Sequence, residues 1–435
     1  MSFQQGLSGL NGSSKSLDVI GNNIANASTF GAKSSRTEFA DVYAGALNGA
    51  GASPVGIGVS VAAVAQQFTQ GNITTTDSPM DLAINGGGFF QLSDGKNPVV
   101  YSRNGQFKLS RDGFIVNNDQ LKLLGYPADG TGVIQPGLAQ QLQLPTSGIA
   151  PKTTAAVKME FNLDSRAKVT APAAGGIALD NPATYNNATS LTAYDAKGQD
   201  VAVTFYFQKT PPAADGSTTY NVFATANGAN FATDSAGAAI AEDAFGNPTT
   251  PYTTITFPRT GGAPISPTGK ITMDVPAGVN SRGATTLDIP GIQLDMLGAT
   301  ENGSSFAVTN LTQDGYAPGQ LSGILIENSG IVMARYSNGQ SKPAGQVELA
   351  NFRNPQGLQP MGGNIWSRTF TSGEAVVGVP GDGNLGALKS GALEESNVDL
   401  TAELVNMVTA QRIYQANAQT IKTQDQILQT IVNLR

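Results

Sequence analysis

The sequence predicts a mixed fold, in which N- and C-terminal α-helices form a coiled-coil domain and nested all-β domains lie between them. Three observations support this prediction. All 23 prolines lie between Pro54 and Pro380, and no glycine follows Gly391. Because proline removes a helix hydrogen-bond donor and clashes with the preceding turn, long helices are confined to the two proline-free ends. The middle of the chain is rich in glycine, threonine, asparagine and serine, which favours short strands joined by turns.

The first predicted element is a helix at the N-terminal end. Its seam residues recur at alternating intervals of four and three, the a and d spacing of a coiled coil. The positions that follow this spacing are Phe3, Leu7, Leu10, Ser14, Leu17, Gly21 and Ile24. We expect the helix to end near Gly31, because glycine readily takes the left-handed conformation that ends helices.

The last predicted element is a long C-terminal helix, preceded by Ser396 and Asp399 as capping residues. Its seam repeats the same spacing, and its opposite face is polar and consists mostly of uncharged amides. The predicted seam is Leu400, Leu404, Met407, Gln411, Tyr414, Ala418, Ile421, Asp425, Leu428 and Val432. The polar face is Arg412, Gln415, Gln419, Lys422, Gln426, Gln429 and Asn433. A surface helix usually carries more glutamate and lysine than this face does.

The interior of the chain reads as strands and hairpins. The segment VAVTFYF (201–207) alternates apolar and other residues, as a half-buried strand does. Hairpin turns are predicted at Asp112-Gly113, at Ser329-Gly330 and, in YSRNGQF, at Asn104-Gly105. These hairpins flank a long central block, so the order along the chain is nested. Such nesting brings both ends of the chain to the same end of the molecule.

Neither terminal helix has a sequence neighbour able to cover its apolar seam. Ordering a helix of this length costs more backbone entropy than one apolar seam returns on burial. We therefore expect both ends to fluctuate in a single copy and to fold when several copies bundle. An alternative is that the helices pack on the chain's own β domain.

Composition excludes several classes of protein. The chain has no cysteine, which excludes disulfides and thiolate metal sites, and no histidine, which removes the commonest general base. The net charge is −7 with scattered basic residues, so no nucleic-acid partner is expected. No apolar run approaches the roughly 18 residues that span a bilayer, so no membrane insertion is expected. The start, MSFQQGLSGL, lacks a basic leader and an apolar core, so we expect any export to proceed without a Sec signal peptide.

No motif predicts catalysis, a metal or a cofactor. The glycine-rich INGGGFF (84–90) lacks the Lys-Ser/Thr that completes a phosphate loop, and a tight β turn is favoured. The aspartates near turns do not form the spaced ladder of a calcium loop. The two facing carboxylates of a glycosidase are neither excluded nor favoured by the spacing. We therefore predict no catalytic, cofactor-binding or metal residue, and no enzyme.

Several long segments resemble the axial proteins of the bacterial flagellum, the rod and hook family. LSGLNGSSKSLDVIGNNIANASTFGAKSSRTEFAD is similar to the N-terminal signature of that family, and GALEESNVDLTAELVNMVTAQRIYQANAQTIKTQDQILQTIVNL to its C-terminal signature. DLAINGGGFFQLSDG, YSRNGQFKLSRDGFIVN and NFRNPQGLQPMGGNIW resemble its β domain. Within the family, SLTAYDAKGQDVAVTFYFQK and the large central block resemble the hook subunits, because distal rod proteins are much shorter.

The resemblance implies a structural subunit that self-assembles into the hook, a curved flexible tube that links the basal-body rod to the filament. The hook transmits motor torque as a universal joint. The implied location is extracellular, in the hook and basal body. The implied partners are other copies in a helical homopolymer, rod proteins, the hook cap, hook-filament junction proteins and the type III export apparatus. The alternatives are a distal rod subunit and, in a different class, a secreted β-rich adhesin or glycan-acting enzyme.

The resemblance also implies a division of the chain into layers. The inner tube is expected from 1–31 and 391–435, a linker or hinge from 32–71, a middle β domain from 72–145 and 310–390, and an outer β domain from 146–309. The implied inter-subunit seam consists of Phe3, Leu7, Leu10, Leu17, Ile24, Leu400, Leu404, Met407, Tyr414, Ile421, Leu428 and Val432. We further predict that Gln415, Gln419, Gln426 and Gln429 line a central channel.

Overall fold

The computed structural model describes residues 2–42, 56, 58–170 and 176–433. The chain divides into two compact units. Unit 1 consists of Met1–Thr146, Ser322–Arg335 and Ser341–Arg435. Unit 2 consists of Ser147–Leu321 and Tyr336–Gln340. The nested order predicted from the sequence is therefore confirmed, with one unit inserted into the other.

Two long helices stand at the ends of the chain, as the proline distribution predicts. Helix α1 is Ser2–Ala25 and helix α2 is Leu400–Asn433. Asp399 caps α2, since its Oδ1 accepts hydrogen bonds from the backbone N–H groups of Thr401 (2.9 Å) and Ala402 (3.2 Å). The predicted start of the C-terminal domain at residue 391 is early, because residues 392–394 form a strand before the helix begins.

Helix α1 ends earlier than predicted, at Ala25, and turns follow up to Gly31. Gly31 does take the left-handed conformation, with φ of +71°. Its N–H donates to the carbonyl of Glu394 at 2.8 Å, and a Cβ there would lie 2.5 Å from the backbone nitrogen of Asn104. The glycine is therefore required by a close backbone approach as well as by its dihedral angle.

The strands before the central block belong to unit 1. They are β1 Ser35–Val42, β2 Gly58–Gln66, β3 Ile73–Thr75, β4 Leu82–Asn85, β5 Phe89–Ser93, β6 Val100–Ser102, β7 Lys108–Leu109, β8 Ile115–Val116, β9 Lys122–Pro127 and β10 Gln140–Gln141.

The central strands belong to unit 2. They are β11 Ala156–Asp164, β12 Asn187–Tyr194, β13 Asp200–Lys209, β14 Thr218–Ala226, β15 Ala229–Asn230, β16 Thr253–Phe257, β17 Ile271–Val275, β18 Ile289–Asp295, β19 Thr300–Asn302 and β20 Ala307–Gln313.

The last strands complete unit 1, apart from Leu321 and Tyr336 at two strand ends, which belong to unit 2. These last strands are β21 Leu321–Ile326, β22 Ile331–Tyr336, β23 Ser341–Val347, β24 Leu349–Asn351, β25 Gln359–Gly362, β26 Ile365–Ser367, β27 Val376–Gly378, β28 Ala387–Ser390 and β29 Ala392–Glu394. Short 3₁₀ turns occur at Pro182–Thr184 and Pro355–Gly357.

Unit 1 is built on a large sheet, and segments that come before and after unit 2 in the sequence both contribute strands to it. Its main path runs β21-β22-β23-β9-β5-β6-β26-β25, over a core that contains Leu82, Phe90 and Val347. Two smaller antiparallel pairs, β29 with β3 and β28 with β4, join the segment before α2 to the segment after β2. The segment that leads into α2 is therefore paired with an early part of unit 1.

Unit 2 contains two five-stranded sheets that share one core. The alternating segment predicted from the sequence lies in β13, where Val201, Val203, Phe205 and Phe207 are fully buried. This prediction is confirmed. The unit extends to Leu321, beyond the predicted limit at residue 309, because β20 pairs antiparallel with β11 and the chain forms further bridges, such as Ile149 with Gly319.

Two of the three predicted hairpin turns are confirmed. Gly113 and Gly330 have φ of +83° and +81° and lie between paired strands. The third, at Asn104-Gly105, is wrong, because β6 pairs with β5 and β26 and not with the residues that follow it. Gly105 instead lies against the backbone of Leu82, where a Cβ would come within 1.6 Å of the carbonyl oxygen.

The predicted linker of 32–71 contains a paired element where a flexible connector was expected. Strands β1 and β2 form an antiparallel pair with a bulge between Glu38 and Phe39. Alternation of valine with small residues in β2 (GVSVAAVAQ) suits a strand, a signal that the glycine-rich composition of the segment obscures. Residues 43–55 and 57, which include most of GALNGAGASPVGI, lie outside the described residues.

Candidate assembly site

The two terminal helices pack against each other in antiparallel orientation. Near the start of α1, Gly6 faces Ile421 and Gly9 faces Asn417. Near its end, Asn23 donates from Nδ2 to the Oε1 of Glu403 at 3.2 Å. The early part of one helix therefore lies beside the late part of the other.

The face of α1 that contacts α2 is made mostly of small residues. We call Gly6, Gly9, Ser13, Ile20 and Asn23 the glycine stripe. An ideal Cβ on Gly6 would lie 3.0 Å from Cγ1 of Ile421, and one on Gly9 would lie 2.8 Å from the Asn417 amide. Their missing side chains let the two backbones approach closely, as small residues do at other close helix crossings.

The glycine stripe was missed by sequence reasoning, and the predicted seam lies beside it. We call Phe3, Leu7, Leu10, Leu17 and Ile24 the leucine stripe. The stripes have the same spacing but differ by one residue, which corresponds to a rotation of about 100° around the helix. A search for helix seams that considers only large apolar residues does not detect glycine and serine. The regular spacing of Gly6, Gly9 and Ser13 is the sequence signal that could have identified this stripe.

The structure leaves much of the predicted seam uncovered. Phe3 and Leu7 are 47% and 45% exposed, and Leu10, Leu17 and Ile24 are half-buried. On α2, the exposed seam residues are Leu400, Leu404, Tyr414 and Leu428. Met407 and Ile421 are half-buried, and Val432 lies outside the residues whose side chains are described. Of the predicted seam, Ile421 is brought against the glycine stripe of the same chain.

The predicted channel-lining residues share one exposed face of α2. The members of this set are Gln415, Gln419, Gln426 and Gln429. Gln429 donates from Nε2 to Oδ2 of Asp425 at 3.0 Å, a contact along the helix. The face lies on the side of α2 away from α1.

The β1–β2 pair packs on a third face of α1. The Nε2 of Gln5 donates to the carbonyl of Gly56 at 2.6 Å, and the N–H of Val59 donates to the Oγ of Ser8 at 3.3 Å. A Cβ on Gly12 would lie 3.3 Å from the ring of Phe39. Helix α1 is thus held by α2 on one side and by this pair on another, and the leucine stripe is on neither.

Asparagine side chains tie the bases of the helices together. Asn23 is 3% exposed, and it both accepts from the N–H of Ser35 and donates to its carbonyl. Asn397 accepts from the N–H of Ser34 at 2.7 Å and donates to the carbonyl of Gln67 at 2.8 Å. The segment that leads into α2 is therefore hydrogen-bonded to the residue just before β1 and to the residue just after β2.

A buried ionic cluster lies below the helices. Lys33 donates to Oε1 of Glu394 at 2.6 Å, and Arg103 donates from Nη1 to Oε2 of the same carboxylate at 3.0 Å. The side chains of Lys33 and Glu394 are fully buried and that of Arg103 is 5% exposed. Lys33 also donates to the carbonyl of Thr69, and Arg103 donates from Nη2 to the carbonyl of Gly86, whereas the buried Nε of Arg103 has no hydrogen-bond partner among the described residues.

The cluster joins three parts of the chain that are distant in sequence. It contains two positively charged side chains and one negatively charged side chain. Burial lowers the pKa of Lys33 and of Arg103, and the neighbouring Glu394 carboxylate opposes that shift in both cases. Because one carboxylate compensates two cations, the cluster depends on Glu394. It attaches the segment after α1 and the strand before α2 to the same sheet.

The described part of the chain lacks the features of two other kinds of site. Among these residues, no helix is both long and apolar enough to cross a membrane. The same residues contain no group of three or more acidic, histidine or cysteine side chains placed to hold a metal ion.

The fold and the site define a class of β-rich structural subunit with paired terminal helices. Family models match four segments of the chain: "Flagella basal body rod protein" at 3–33, "Flagellar hook protein FlgE/F/G D1 domain" at 83–171, "Flagellar basal body protein FlaE D2 domain" at 162–316, and "Flagellar basal body rod FlgEFG protein C-terminal" at 389–434.

Relatives of similar length specify the family further. The chain is 42% identical to the flagellar hook protein FlgE of Salmonella typhimurium and 41% identical to that of Escherichia coli, over the whole of each chain. A crystal structure of Helicobacter pylori flagellar hook protein FlgE2 matches 74% of this chain and all of its own, with a TM-score of 0.48 and 13% identity. The chain belongs to the flagellar hook protein family.

Proposed function

We propose that this chain is a structural, non-enzymatic subunit that self-assembles through its terminal helices into the flagellar hook. The observation that supports this most is the α1–α2 pair, whose large apolar side chains remain exposed at the start of α1 and along α2. Contiguous exposed apolar surface of this kind marks an interaction site. Many copies side by side would cover it, and family membership makes a second copy the natural partner.

Further parts of the proposal follow from the family. The polymer is a curved flexible tube that links rod to filament and transmits torque as a universal joint. Rod proteins, the hook cap and hook-filament junction proteins contact its ends, and subunits leave the cell through the type III export apparatus. Unit 1 supplies the inner and middle layers and unit 2 the outer layer, with the segment 32–71 as hinge.

Assembly of the purified chain tests the central proposal. Under salting-out conditions, the intact chain is expected to form curved tubes visible by electron microscopy. Removal of residues 1–31 or of residues 400–435 is expected to abolish the tubes, because either deletion removes one helix of the pair.

The control for these deletions is the folding of the truncated chains. Circular dichroism should show that their β structure is retained, so that loss of tubes reports loss of assembly. Tubes formed by either truncated chain would contradict the proposal. Hydrogen exchange on residues 3–24 and 400–432, compared between monomer and tube, tests whether these ends become ordered on assembly.

We also propose that the amide face of α2 lines the channel through which export cargo passes. Uncharged amides hold neither apolar segments nor charged ones strongly, which suits passage of an unfolded chain. The triple variant Gln415→Leu, Gln419→Leu and Gln426→Leu is expected to slow filament growth on assembled hooks by several-fold. The measurement is filament length over time in cells with normal hook number.

The matched control for the channel variant keeps the face polar. Gln415→Asn, Gln419→Asn and Gln426→Asn together should leave filament growth unchanged. Normal filament growth with the leucine variant would exclude this role for the amide face.

A further inference from the structure

Seven asparagines of the chain are each followed by a glycine. They are Asn11, Asn48, Asn85, Asn104, Asn227, Asn302 and Asn338. In such a pair the backbone nitrogen of the glycine can attack the side-chain amide of the asparagine, because glycine has no side chain to block the approach and has a permissive backbone. In a folded chain, the reaction requires that both groups are free to meet. The structure describes six of these pairs, and Asn48 lies outside the described residues.

Regular secondary structure restrains the first two described pairs. Asn11 lies within α1, where the N–H of the next residue points along the helix axis and away from the side chains. At the end of β4, the Oδ1 of Asn85 accepts from Nε2 of Gln70 at 3.3 Å, and the N–H of Gly86 donates to Oε1 of the same glutamine at 3.1 Å. Both reacting groups of this second pair are therefore already engaged.

Close packing or a hydrogen bond restrains two more pairs. Asn104 precedes Gly105, which is buried and has no room for a Cβ beside Leu82. The Oδ1 of Asn227 accepts from the N–H of Ala202 at 2.9 Å. Ring closure at either pair therefore requires these contacts to move.

Asn338 is held at both ends of its amide group. Its Oδ1 accepts from the N–H of Gln340 at 3.1 Å, and its Nδ2 donates to the carbonyl of Ala317 at 2.6 Å. Like Asn302, it belongs to unit 2 and lies close to the end of a strand. The two pairs have the same dipeptide sequence, and they differ in whether the asparagine amide is held.

Asn302 is the exception among the six. Its side chain is exposed and makes no hydrogen bond to any residue in the described part of the chain. Gly303 is also exposed, and its N–H donates to none of the described residues. Apart from its chain neighbours, a Cβ added to Gly303 would meet nothing closer than the Oγ of Ser165, at 3.9 Å. Neither a bonded amide nor a crowded backbone therefore opposes ring closure at this pair.

We propose that Asn302 is a site of spontaneous deamidation. The backbone nitrogen of Gly303 bonds to Cγ of Asn302, the Cγ–Nδ2 bond breaks, and the proton of the attacking nitrogen leaves with the amide group as ammonia. Water then opens the cyclic imide at either of its two carbonyl carbons, which yields aspartate or isoaspartate. Oxidation states do not change, and water is the only co-reactant. Because the reaction needs no enzyme, the modified fraction increases with the age of the chain.

Deamidation places a carboxylate where the fold has a neutral amide. Asn302 pairs in register with Asp164 of β11, and Arg166 donates to both carboxylate oxygens of that aspartate. Like charges at paired positions of neighbouring strands are destabilising. In the isoaspartate product the main chain is longer by one carbon, and the carbonyl that accepts from the N–H of Ser165 at 2.9 Å becomes a free carboxylate. We therefore expect the modified chain to have weaker pairing at this end of β19.

Peptide mapping of the intact chain by mass spectrometry, after incubation at mildly alkaline pH, measures the modified fraction at each pair. In the folded chain we expect about tenfold faster modification at Asn302 than at Asn338, because the two hydrogen bonds of the Asn338 amide must break first. In concentrated urea these restraints are absent, and the two rates should be similar. Similar rates in the folded chain, or no modification at Asn302, would overturn the proposal.

Gly303→Ala tests the chemical route at the same position. The added methyl group has room in the fold, so the variant should remain folded. Modification at Asn302 is expected to fall about tenfold, because alanine restricts the backbone and hinders the attacking nitrogen. The rate at Asn338 is the internal control and should not change. An unchanged rate at Asn302 would exclude attack by the neighbouring backbone nitrogen and would refute the proposal.

Hydrogen exchange of the Ser165 N–H tests the structural effect. The modified and unmodified chains differ by one charge and can be separated by ion exchange. Exchange in the modified chain should be about fivefold faster, the change that corresponds to the loss of one hydrogen bond. Equal exchange in both chains would contradict a weaker β11–β19 pairing. All of these measurements use the purified chain alone, so their outcomes do not depend on the proposed function.

Discussion

Replacement of Glu394 by alanine is expected to destabilise unit 1 by about 3–5 kcal/mol. Lys33 and Arg103 would remain buried without their shared carboxylate, and an uncompensated buried charge is costly. Because native domains have only about 5–15 kcal/mol of stability, the loss is a large part of the total. Urea unfolding followed by circular dichroism measures it as a fall in the transition midpoint.

An exposed ion pair in the same unit provides the matched control. Glu374 pairs with Arg368 at the surface, where its side chain is 85% exposed. Glu374→Ala should cost no more than about 1 kcal/mol, because solvent screens such pairs. Equal effects of the two substitutions would show that the buried cluster contributes no more to the stability of unit 1 than the exposed ion pair does. Loss of tubes by Glu394→Ala at a temperature where the variant is folded would further assign the cluster a role in holding the helix bases.

The elements that the sequence predicts well are those with a local signal. Proline placement confines the long helices to the ends, and strict alternation in VAVTFYF marks a strand whose alternate side chains are fully buried in β13. Asp-Gly and Ser-Gly pairs indicate two turns because the left-handed conformation they require is a property of the residues themselves.

The elements that it does not predict depend on contacts between distant residues. Lys33 and Glu394 are 361 positions apart, so no spacing rule connects them. Gly105 looks like a turn residue, but its lack of a side chain serves a close approach to Leu82. The β1–β2 pair is concealed by a composition typical of a connector.

The candidate site divides in the same way. Sequence periodicity identifies large apolar residues such as Leu7 and Leu404, and the structure leaves these uncovered by the chain itself. It does not identify the surface that the helices use within one chain, because most residues of that surface, such as Gly6, Gly9 and Ser13, are too small to count as a seam. Sequence periodicity counts large apolar side chains that could be buried, whereas close helix packing can depend on residues with a small side chain or none.

The glycine stripe therefore yields the second large expected effect. Gly9→Leu should separate α1 from α2, because a Cβ at this position already lies 2.8 Å from the Asn417 amide and leucine adds three further carbons. Overpacking of this kind costs about 1–3 kcal/mol and outweighs the gain of up to about 1 kcal/mol in helix propensity. Native-state hydrogen exchange of α1 in the monomer should become faster, and the purified variant should form no tubes.

Gly21→Leu is the matched control for this substitution, on the same helix and with the same change in propensity. A Cβ on Gly21 meets nothing within 4 Å, so the monomer should keep its exchange rates or show slower ones. If both variants exchange alike, close approach at Gly9 does not hold the pair. Gly9→Leu could also be the only variant with faster exchange of α1 and still form normal tubes. In that case α1 does not need to pack on its own α2 in order to present the leucine stripe. The two helices would then act as separate elements in assembly.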